Sequence, residues 1–589
     1  MTKKHYKQQA WNLSALLPGV SGAEVENGLK EFETAVLEIE AMRPLLTPEI
    51  SKDDFQKLLK LKEEISFVSR RLGSYGHLRF AGDTQDQEAL AFMGKMEQIL
   101  TDGSNRILFV NLWWKSLEDT DAEKLIELSG DLRYYLEQQR SFKDHTLKES
   151  EEQIVNLKDV NGISALNTIY DMITNKYQFD FEVDGEKKQL TRDELAGFVR
   201  HPSPDVREAA YKELYRVYKD DSQVLSQIYI HTVRDWNSEN LKLRNFASPI
   251  SVRNLSNDIP DDVVDTMLKV CEEEAYIFQD YFKKKAGWLK SGEKLRRYDL
   301  YAPLKQHSDK KIDYSKAADM VLESFNEFSP EFAAKAKKVL DDEHIDSEVR
   351  KGKRGGAFCA GVFPGVSPWV LANYSGEPRQ VATLAHELGH AVHALMAEDH
   401  SILTFHSCLP LAETASVFSE MLLTDRLLAE ETNPEVVRDL LASAVDDAYA
   451  TVLRQSYFVL FERDAHRMIA EGKTMNELNE HYLKTLRQQF GDSVEVSEDF
   501  MYEWICIPHI YHSPFYCYAY SFGLLLSLSL YQRYKEVGKE FVPSFLKILS
   551  YGGSAAPEHI LKEAGIDMHD PEFWRNGFTA IKDMIARLD

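Results

Sequence analysis

The sequence has few cysteines, and no two of them stand in a CxxC pair. There are five, which is an odd number: Cys271, Cys359, Cys408, Cys506 and Cys517. This usage argues against a disulfide framework and suits free, mostly buried thiols in a reducing compartment. We therefore expect a cytoplasmic protein.

Long apolar runs and an excess of basic residues are also missing. The most apolar stretch, 516–531, is too short and too rich in hydroxyl groups to span a membrane. The N-terminal residues lack the apolar segment of a signal peptide. Lys and Arg number 70 against 95 Asp and Glu, which gives a net charge of −25. We therefore expect a soluble protein that binds neither membranes nor nucleic acid, because nucleic-acid binding relies on basic surfaces.

Strand signals are scarce, whereas helical periodicity runs through most of the chain. Segments 25–46, 54–75 and 87–117 carry apolar residues at spacings of three and four, the pattern of an amphipathic helix. The clearest exception is 177–190, which alternates and then turns at Asp184-Gly185, as a β-hairpin does. A further helix is predicted to begin at Ser203-Pro204. The fold class is therefore predicted to be mostly α.

Domain boundaries are weakly marked, because repeats, low-complexity tracts and obvious linkers are absent. At 589 residues the chain exceeds the size of a single hydrophobic core. We predict an N-terminal helical region at 1–200, with the hairpin near its end, and a second region at 201–589.

The most informative stretch is TLAHELGHAVHALMAEDHS (383–401). His386 and His390 are four residues apart, so on a helix they share one face and can meet a single zinc ion. Glu387 lies beside them, where it can accept a proton from an attacking water. This is the HExxH arrangement of two ligands and a general base. An apolar face supports the helix: Val381, Leu384, Leu388, Val392 and Leu395.

A third ligand has to come from elsewhere. His393 lies about 10.5 Å further along the helix axis than His386, too far to share its metal. His406 is one possibility. The better candidate is Glu413, where a new helix is predicted to start after Pro410. Glu420, seven residues on, shares a face with Glu413 and could orient a ligating histidine.

A Gly- and Pro-rich stretch, 355–378, precedes the histidine helix. We interpret it as a loop and a short strand beside that helix, with the strand in PWVLANY (368–374). An extended peptide could add to the edge of that strand.

Three segments together resemble the oligoendopeptidase F and thimet oligopeptidase family of zinc peptidases. They are LANYSGEPRQVATLAHELGHAVH (371–393), LAETASVFSEML (411–422) and IPHIYHSPFYCYAYSFG (507–523). Weaker matches are YDLYAPL (298–304) and RQSYFVLFE (454–462). The similarity extends over most of the chain.

The resemblance implies two helical lobes around a deep substrate channel, with a small β element beside the HExxH helix and 201–589 as the catalytic domain. It also implies one zinc ion per chain, held by His386, His390 and Glu413, with Glu387 activating the water. Short peptides are the implied substrates. The oligomeric state stays open.

The resemblance further implies that a histidine and tyrosines near the C-terminus face the substrate. A phenol hydroxyl aimed at developing negative charge stabilises an oxyanion. His509 ranks first, followed by Tyr518 and Tyr520. Tyr511 and Tyr516 compete with them.

The predicted function is hydrolysis of internal bonds in short oligopeptides by a zinc endopeptidase. Two alternatives stay open. One is a zinc carboxypeptidase or dipeptidase on a similar helical fold, and the other is a catalytically inactive peptide-binding scaffold.

Overall fold

The computed structural model describes residues 4–183, 185–304 and 311–588. Helices dominate this part of the chain, which confirms the predicted mostly α class. In chain order they are α1 Ala23–Met42, α2 Lys52–Gly82, α3 Gln87–Arg106, α4 Leu108–Ser116, α5 Asp119–Ile126, α6 Arg133–Arg140, α7 Glu149–Asn161, α8 Ile163–Thr174, α9 Arg192–Gly197, α10 Pro204–Asp220, α11 Ser222–Trp236, α12 Ser251–Asn257, α13 Asp261–Glu273, α14 Ala275–Leu289, α15 Tyr314–Phe328, α16 Pro330–Asp341, α17 Pro378–Met396, α18 Leu409–Ala412, α19 Thr414–Glu430, α20 Pro434–Ala448, α21 Arg454–Ala470, α22 Met475–Phe490, α23 Pro508–His512, α24 Tyr518–Val537, α25 Val542–Ser550, α26 Pro557–Glu563 and α27 Pro571–Ala586.

Strands are short and few within the described residues. They are β1 Phe179–Val183, β2 Glu186–Leu190, β3 Leu295–Arg296, β4 Ile345–Asp346, β5 Phe358–Ala360, β6 Trp369–Leu371 and β7 Val494–Glu495. β1 and β2 form the predicted antiparallel hairpin, with Phe179 opposite Leu190. Gly185 has the positive φ of +80° that its turn requires, while Asp184 lies outside the described residues.

The predicted start of α10 is confirmed, but its cap differs from the expectation. Ser203 is the N-cap residue and Pro204 the first helical residue. The Ser203 side chain does not bond the first turn. Its backbone N–H instead donates to Nδ1 of His201 at 3.1 Å, and the fixed φ of Pro204 starts the helix.

Two compact units divide the chain, each assembled from three segments. The first comprises Met1–Thr146, Asp309–Glu430 and Arg533–Asp567, and the second comprises Leu147–Ser308, Glu431–Gln532 and Met568–Asp589. Residue 200, where the sequence suggests a boundary, lies inside the second unit. The division at 200 stays a prediction.

A three-stranded sheet in the first unit lies beside the histidine helix. β6 is its central strand, parallel to β4 and antiparallel to β5. The three residues of β6 are fully buried, as a continuous apolar run predicts. The expectation that a peptide could add to the edge of PWVLANY is therefore wrong, since both edges of β6 are already paired. β4 and β5 are the two edge strands.

The histidine helix α17 is the centre of the first unit. It packs against α15, α16, α19 and α25, and against β5 and β6. The five apolar residues predicted to form its inner face are all buried. This packing holds the two histidines on a rigid element.

No disulfide joins any of the five cysteines, as predicted; three are buried, and Cys359 and Cys408 are partly exposed. Among the described helices, none has the length and apolar character needed to cross a membrane.

Candidate metal centre

Two histidines one helical turn apart form the base of the site. The rings of His386 and His390 lie with centroids 4.8 Å apart at an angle of 81°. Both residues are on α17, where the four-residue spacing places them on the same face. The predicted pair is thus formed by a single helix.

Glu413 meets both histidines. Its Oε2 lies 3.4 Å from Nε2 of His386 and 3.4 Å from Nε2 of His390. One ligand atom from each of the three residues falls within 4.8 Å of the others. Glu413 occupies the junction at which α18 ends and α19 begins. Two nitrogens and a carboxylate oxygen are the donor set of a catalytic zinc site with an open position.

Ser416 and Glu420 support these three side chains. The Ser416 hydroxyl donates to Oε2 of Glu413 at 2.8 Å. On the far side of the His386 ring, Nδ1 lies 3.0 Å from Oε1 of Glu420. A carboxylate at Nδ1 fixes the ring orientation and leaves Nε2 for a metal.

The charges at the site are strongly coupled. Burial alone would raise the pKa of Glu413, but His390 and His386 lower the pKa of this carboxyl to about 2. Burial alone would lower the pKa of His386, but Glu420, followed by Glu413 and Glu387, raises the pKa of His386 to about 9. The carboxylates therefore favour a positive charge at this position, which a divalent cation also supplies.

Glu387 is buried beside the histidines. Its residue exposure is 6%, and burial raises the pKa of its carboxyl above the usual range. A general base works best when its pKa lies near the working pH, so this upward shift suits proton transfer.

A cavity of about 510 Å³ opens over this group of residues. Strand β5 forms one side of the cavity through Phe358, Cys359 and Ala360. His386, His390, Glu387 and Glu413 also line it. The candidate ligands, the candidate base and the edge strand β5 thus line one pocket.

The other histidines of this region lie outside the ligand set, as the spacing predicts for His393. His393 is buried, its ring bonds to the backbone of Ala412, and burial lowers its pKa to about 4. His406 lines the cavity but is not part of the ligand group formed by the described residues. The ring of His400 contacts the carbonyl oxygen of Ser550 at 2.7 Å.

The histidine and tyrosines near the C-terminus belong to the second unit. Nε2 of His509 lies 3.2 Å from the Tyr520 hydroxyl. The Tyr516 ring stacks on the imidazole at a centroid distance of 5.9 Å and meets the Tyr520 ring edge to face. Burial lowers the pKa of His509, which favours the neutral imidazole.

Tyr518 and Tyr511 point elsewhere. Tyr518 is fully buried, and its hydroxyl accepts a hydrogen bond of 2.8 Å from Asn257. Tyr511 is buried and stacks on Tyr170 at 4.0 Å. This burial does not favour a substrate-facing hydroxyl at either position. The role of Tyr518 stays a prediction.

A model of peptidase family M3 matches residues 198–580, which is more than half of the chain. This chain belongs to peptidase family M3. A second model, described as oligopeptidase F, matches residues 113–179.

Individual relatives of this M3 peptidase align over nearly its whole length. It is 27% identical over 569 residues to an oligoendopeptidase F homolog from Borreliella burgdorferi, covering 95% of this chain and 94% of the relative. It is 26% identical to the oligopeptidase PepF of Bacillus subtilis, covering 89% and 78%. A crystal structure of a putative peptidase from Chlamydophila abortus has the same fold, with a TM-score of 0.85 at 23% identity and coverage of 98% and 97%.

Two contacts of the M3 site were not predicted from the sequence. Ser416 follows Glu413 by three residues, a spacing at which a side chain at a helix start can reach back. That signal was available in LAETAS. The bond between His393 and the Ala412 backbone had no local signal, because it joins two different helices.

Proposed function

We propose that this M3 peptidase is a zinc-dependent endopeptidase that hydrolyses internal bonds of short oligopeptides in the cytoplasm. The observation that carries the proposal is the meeting of His386, His390 and Glu413 in the cavity that also holds the Glu387 carboxyl. When bound, zinc supplies Lewis acidity, which polarises the scissile carbonyl and makes water a stronger acid.

The residues of this chain then have separate tasks. His386, His390 and Glu413 hold the ion, and Glu420 and Ser416 keep the ligand side chains in position. Glu387 takes a proton from the attacking water and passes it to the leaving amine. Its raised pKa supports both transfers, because the carboxyl group has to gain and lose a proton in each cycle.

His509 and Tyr520 are proposed to act on the substrate as a pair. A hydroxyl or imidazole N–H that donates to the carbonyl oxygen stabilises the negative charge that develops there. Their separation of 3.2 Å supports joint action. Tyr518, which the resemblance also suggests, has its hydroxyl bonded to Asn257 and is the weaker candidate.

Strand β5 is proposed to bind the substrate backbone. It lines the cavity, and among the strands of the described residues it pairs with β6 alone. An extended peptide can pair with the other edge of β5 by adding a strand.

The test uses one internally quenched peptide in two forms, with a free and with an amidated C-terminus. An endopeptidase should cleave the same internal bond in both at similar kcat/KM. A carboxypeptidase needs the free carboxylate and should process only the uncapped form. A protein that neither retains a divalent metal nor turns over either peptide after zinc is added would be a scaffold.

A further inference from the structure

The segment between α23 and α24 connects His509 to Tyr520, and its backbone has an uncommon conformation. The N–H of Ser513 closes α23 on the carbonyl oxygen of His509 at 2.8 Å. Phe515 then has φ +59°, a left-handed conformation that is a genuine outlier for a bulky side chain. Such a residue persists only where its surroundings hold it, and such residues cluster at functional sites.

Glu462 on α21 holds this residue in place. Oε1 of Glu462 accepts the Phe515 backbone N–H at 2.9 Å, and the glutamate is fully buried. One turn along the same helix, the ring of His466 packs against the Phe515 ring at 4.7 Å. In the protein interior, the carboxyl group of Glu462 thus accepts a hydrogen bond from the backbone N–H of Phe515.

Arg253 holds the preceding two residues. Its Nη2 donates to Oγ of Ser513 at 2.8 Å, and its Nε donates to the carbonyl oxygen of Pro514 at 3.2 Å. After the left-handed residue, the N–H of Tyr516 returns to the carbonyl oxygen of Ser513 at 3.1 Å. Contacts from α12 and α21 therefore determine where α24 begins, and with it the direction of Tyr520.

We propose that Glu462 is a positioning residue that, by accepting the Phe515 N–H, maintains the left-handed turn and thereby holds Tyr520 against His509. The proposal rests on the proposed function, in which that pair acts on the substrate carbonyl. It gives a role to Glu462, the last residue of the RQSYFVLFE motif (454–462), which is not part of the metal centre.

The hydrogen bond, rather than the charge, is the property that matters at this position. Burial raises the pKa of Glu462 to about 8, so the side chain is largely neutral at pH 7. Glutamine keeps an acceptor at the same reach and is a close mimic. Aspartate keeps the carboxyl group but is shorter by one methylene group, which withdraws the acceptor from Phe515.

The experiment compares E462Q, E462D and E462L in the full-length, zinc-loaded enzyme, using the quenched peptide. E462Q should keep kcat within about twofold of the parent. E462D and E462L should lose about 10- to 100-fold in kcat, the scale expected when a reacting group is displaced by about 1 Å. Their KM should change little, because the pair acts on the transition state. Zinc content should stay at one ion per chain, since the ligands lie in the other unit.

Two controls separate positioning from general destabilisation. I469A removes a buried side chain from the same helix and should lower the thermal midpoint while leaving kcat within about twofold. Glycine adopts positive φ without strain, so E462D should cost less in an F515G background than in the parent. If E462L does not fold, the contrast between E462Q and E462D decides the question.

Several results would overturn the proposal. If E462D and E462L keep the parental kcat while H509A and Y520F are impaired, the positioning role of Glu462 is contradicted, but the proposed function of His509 and Tyr520 is not. E462Q losing as much activity as E462D would assign the effect to charge instead of the hydrogen bond. Full activity of H509A and Y520F would contradict the proposed function of the pair, and the positioning role with it.

Discussion

Among single residues, Glu387 shows most clearly how burial serves the proposed chemistry. A carboxyl group enclosed by protein pays a desolvation cost when it ionises, and burial accordingly raises its pKa. The neighbouring histidines oppose that shift, and Glu413 adds to it. The raised pKa makes it easier for this carboxyl group to hold the proton that it has to pass to the leaving amine.

The E387Q variant separates metal binding from proton transfer. Glutamine fills the same space but cannot take a proton, so turnover should fall by at least about 10²–10⁴-fold, while zinc content stays at the parental level. Steady-state kinetics and metal analysis on the same preparation test this. Substantial residual turnover would remove Glu387 from the role of base.

Variants of Glu413 and His406 show which of the two residues is the third metal ligand. E413Q should weaken zinc binding, because it removes the charged oxygen that faces both histidines. H406A should leave zinc stoichiometry unchanged, although His406 lines the same cavity. Competition against a zinc-chelating dye measures both affinities. Unchanged affinity in E413Q together with a loss in H406A would reverse the assignment.

Spacing along one helix could predict His386, His390 and Glu387, because a helix fixes the directions of its own residues. It could also exclude His393. To predict Glu413 as a ligand, the start of the next helix had to be assumed. To predict which tyrosines face the substrate, the tertiary packing would have to be known. Tyr518 shows the limit, since nothing local indicates that its hydroxyl bonds to Asn257.

At the scale of helices, the close approach of α17 and α19 brings the third ligand to the other two. Gly389 lies between the two histidines, and a Cβ placed there would lie 2.6 Å from the Ala415 carbonyl oxygen and 2.6 Å from Cα of Ser416. Both are backbone atoms of residues that follow Glu413 by two and three positions. The absence of a side chain at 389 thus allows α19 to reach the face of α17 that carries the histidines.

The G389A variant should therefore separate the two helices. Overpacking of this kind costs about 1–3 kcal/mol, and we expect weaker zinc binding in addition to a lower unfolding midpoint. G94A is the matched control, because Gly94 lies within α3 and a Cβ there would meet nothing within 4 Å. It should leave zinc affinity unchanged and stabilise the protein slightly. Equal zinc affinity in both variants would rule out this account of Gly389.

Strand pairing was harder to predict than helices. The β-prone residues of 368–374 were identified, and β6 lies within them. Which strand stands at the sheet edge depends on partners that come from 345–346 and 358–360. Such pairing is non-local, so a short apolar run does not indicate whether it is central or peripheral.

At the scale of the whole molecule, the mostly α class followed from periodicity alone, whereas the division into two units did not. Each unit collects three separate stretches of chain, and the five junctions, at 146, 308, 430, 532 and 567, carry no Gly- or Pro-rich linker. A chain that passes between units several times has no single boundary for composition to mark. All three candidate ligands nevertheless belong to the first unit.

The stability of the metal-free protein should depend on pH, and the stabilisation that zinc adds to it should depend on pH in the opposite way. Without metal, the folded protein raises the pKa of His386 from 6.5 to about 9. A raised pKa gives stability that is fully present below pH 6.5 and is lost as the pH rises through 9. Glu413, with a pKa of about 2, stays ionised throughout that window.

Zinc has to displace the proton from His386, and that displacement becomes easier as the pH rises. The stabilisation that zinc gives should therefore grow between pH 6.5 and 9, by up to about 3 kcal/mol at fixed free zinc. Thermal unfolding with and without zinc across this range measures the difference. In E420Q the carboxylate that contributes most to the raised pKa is gone, so the increase should be smaller. A zinc-induced shift that stays constant from pH 6.5 to 9 would contradict protonated His386 in the metal-free protein, and with it the view that α19 prepares this site for a cation.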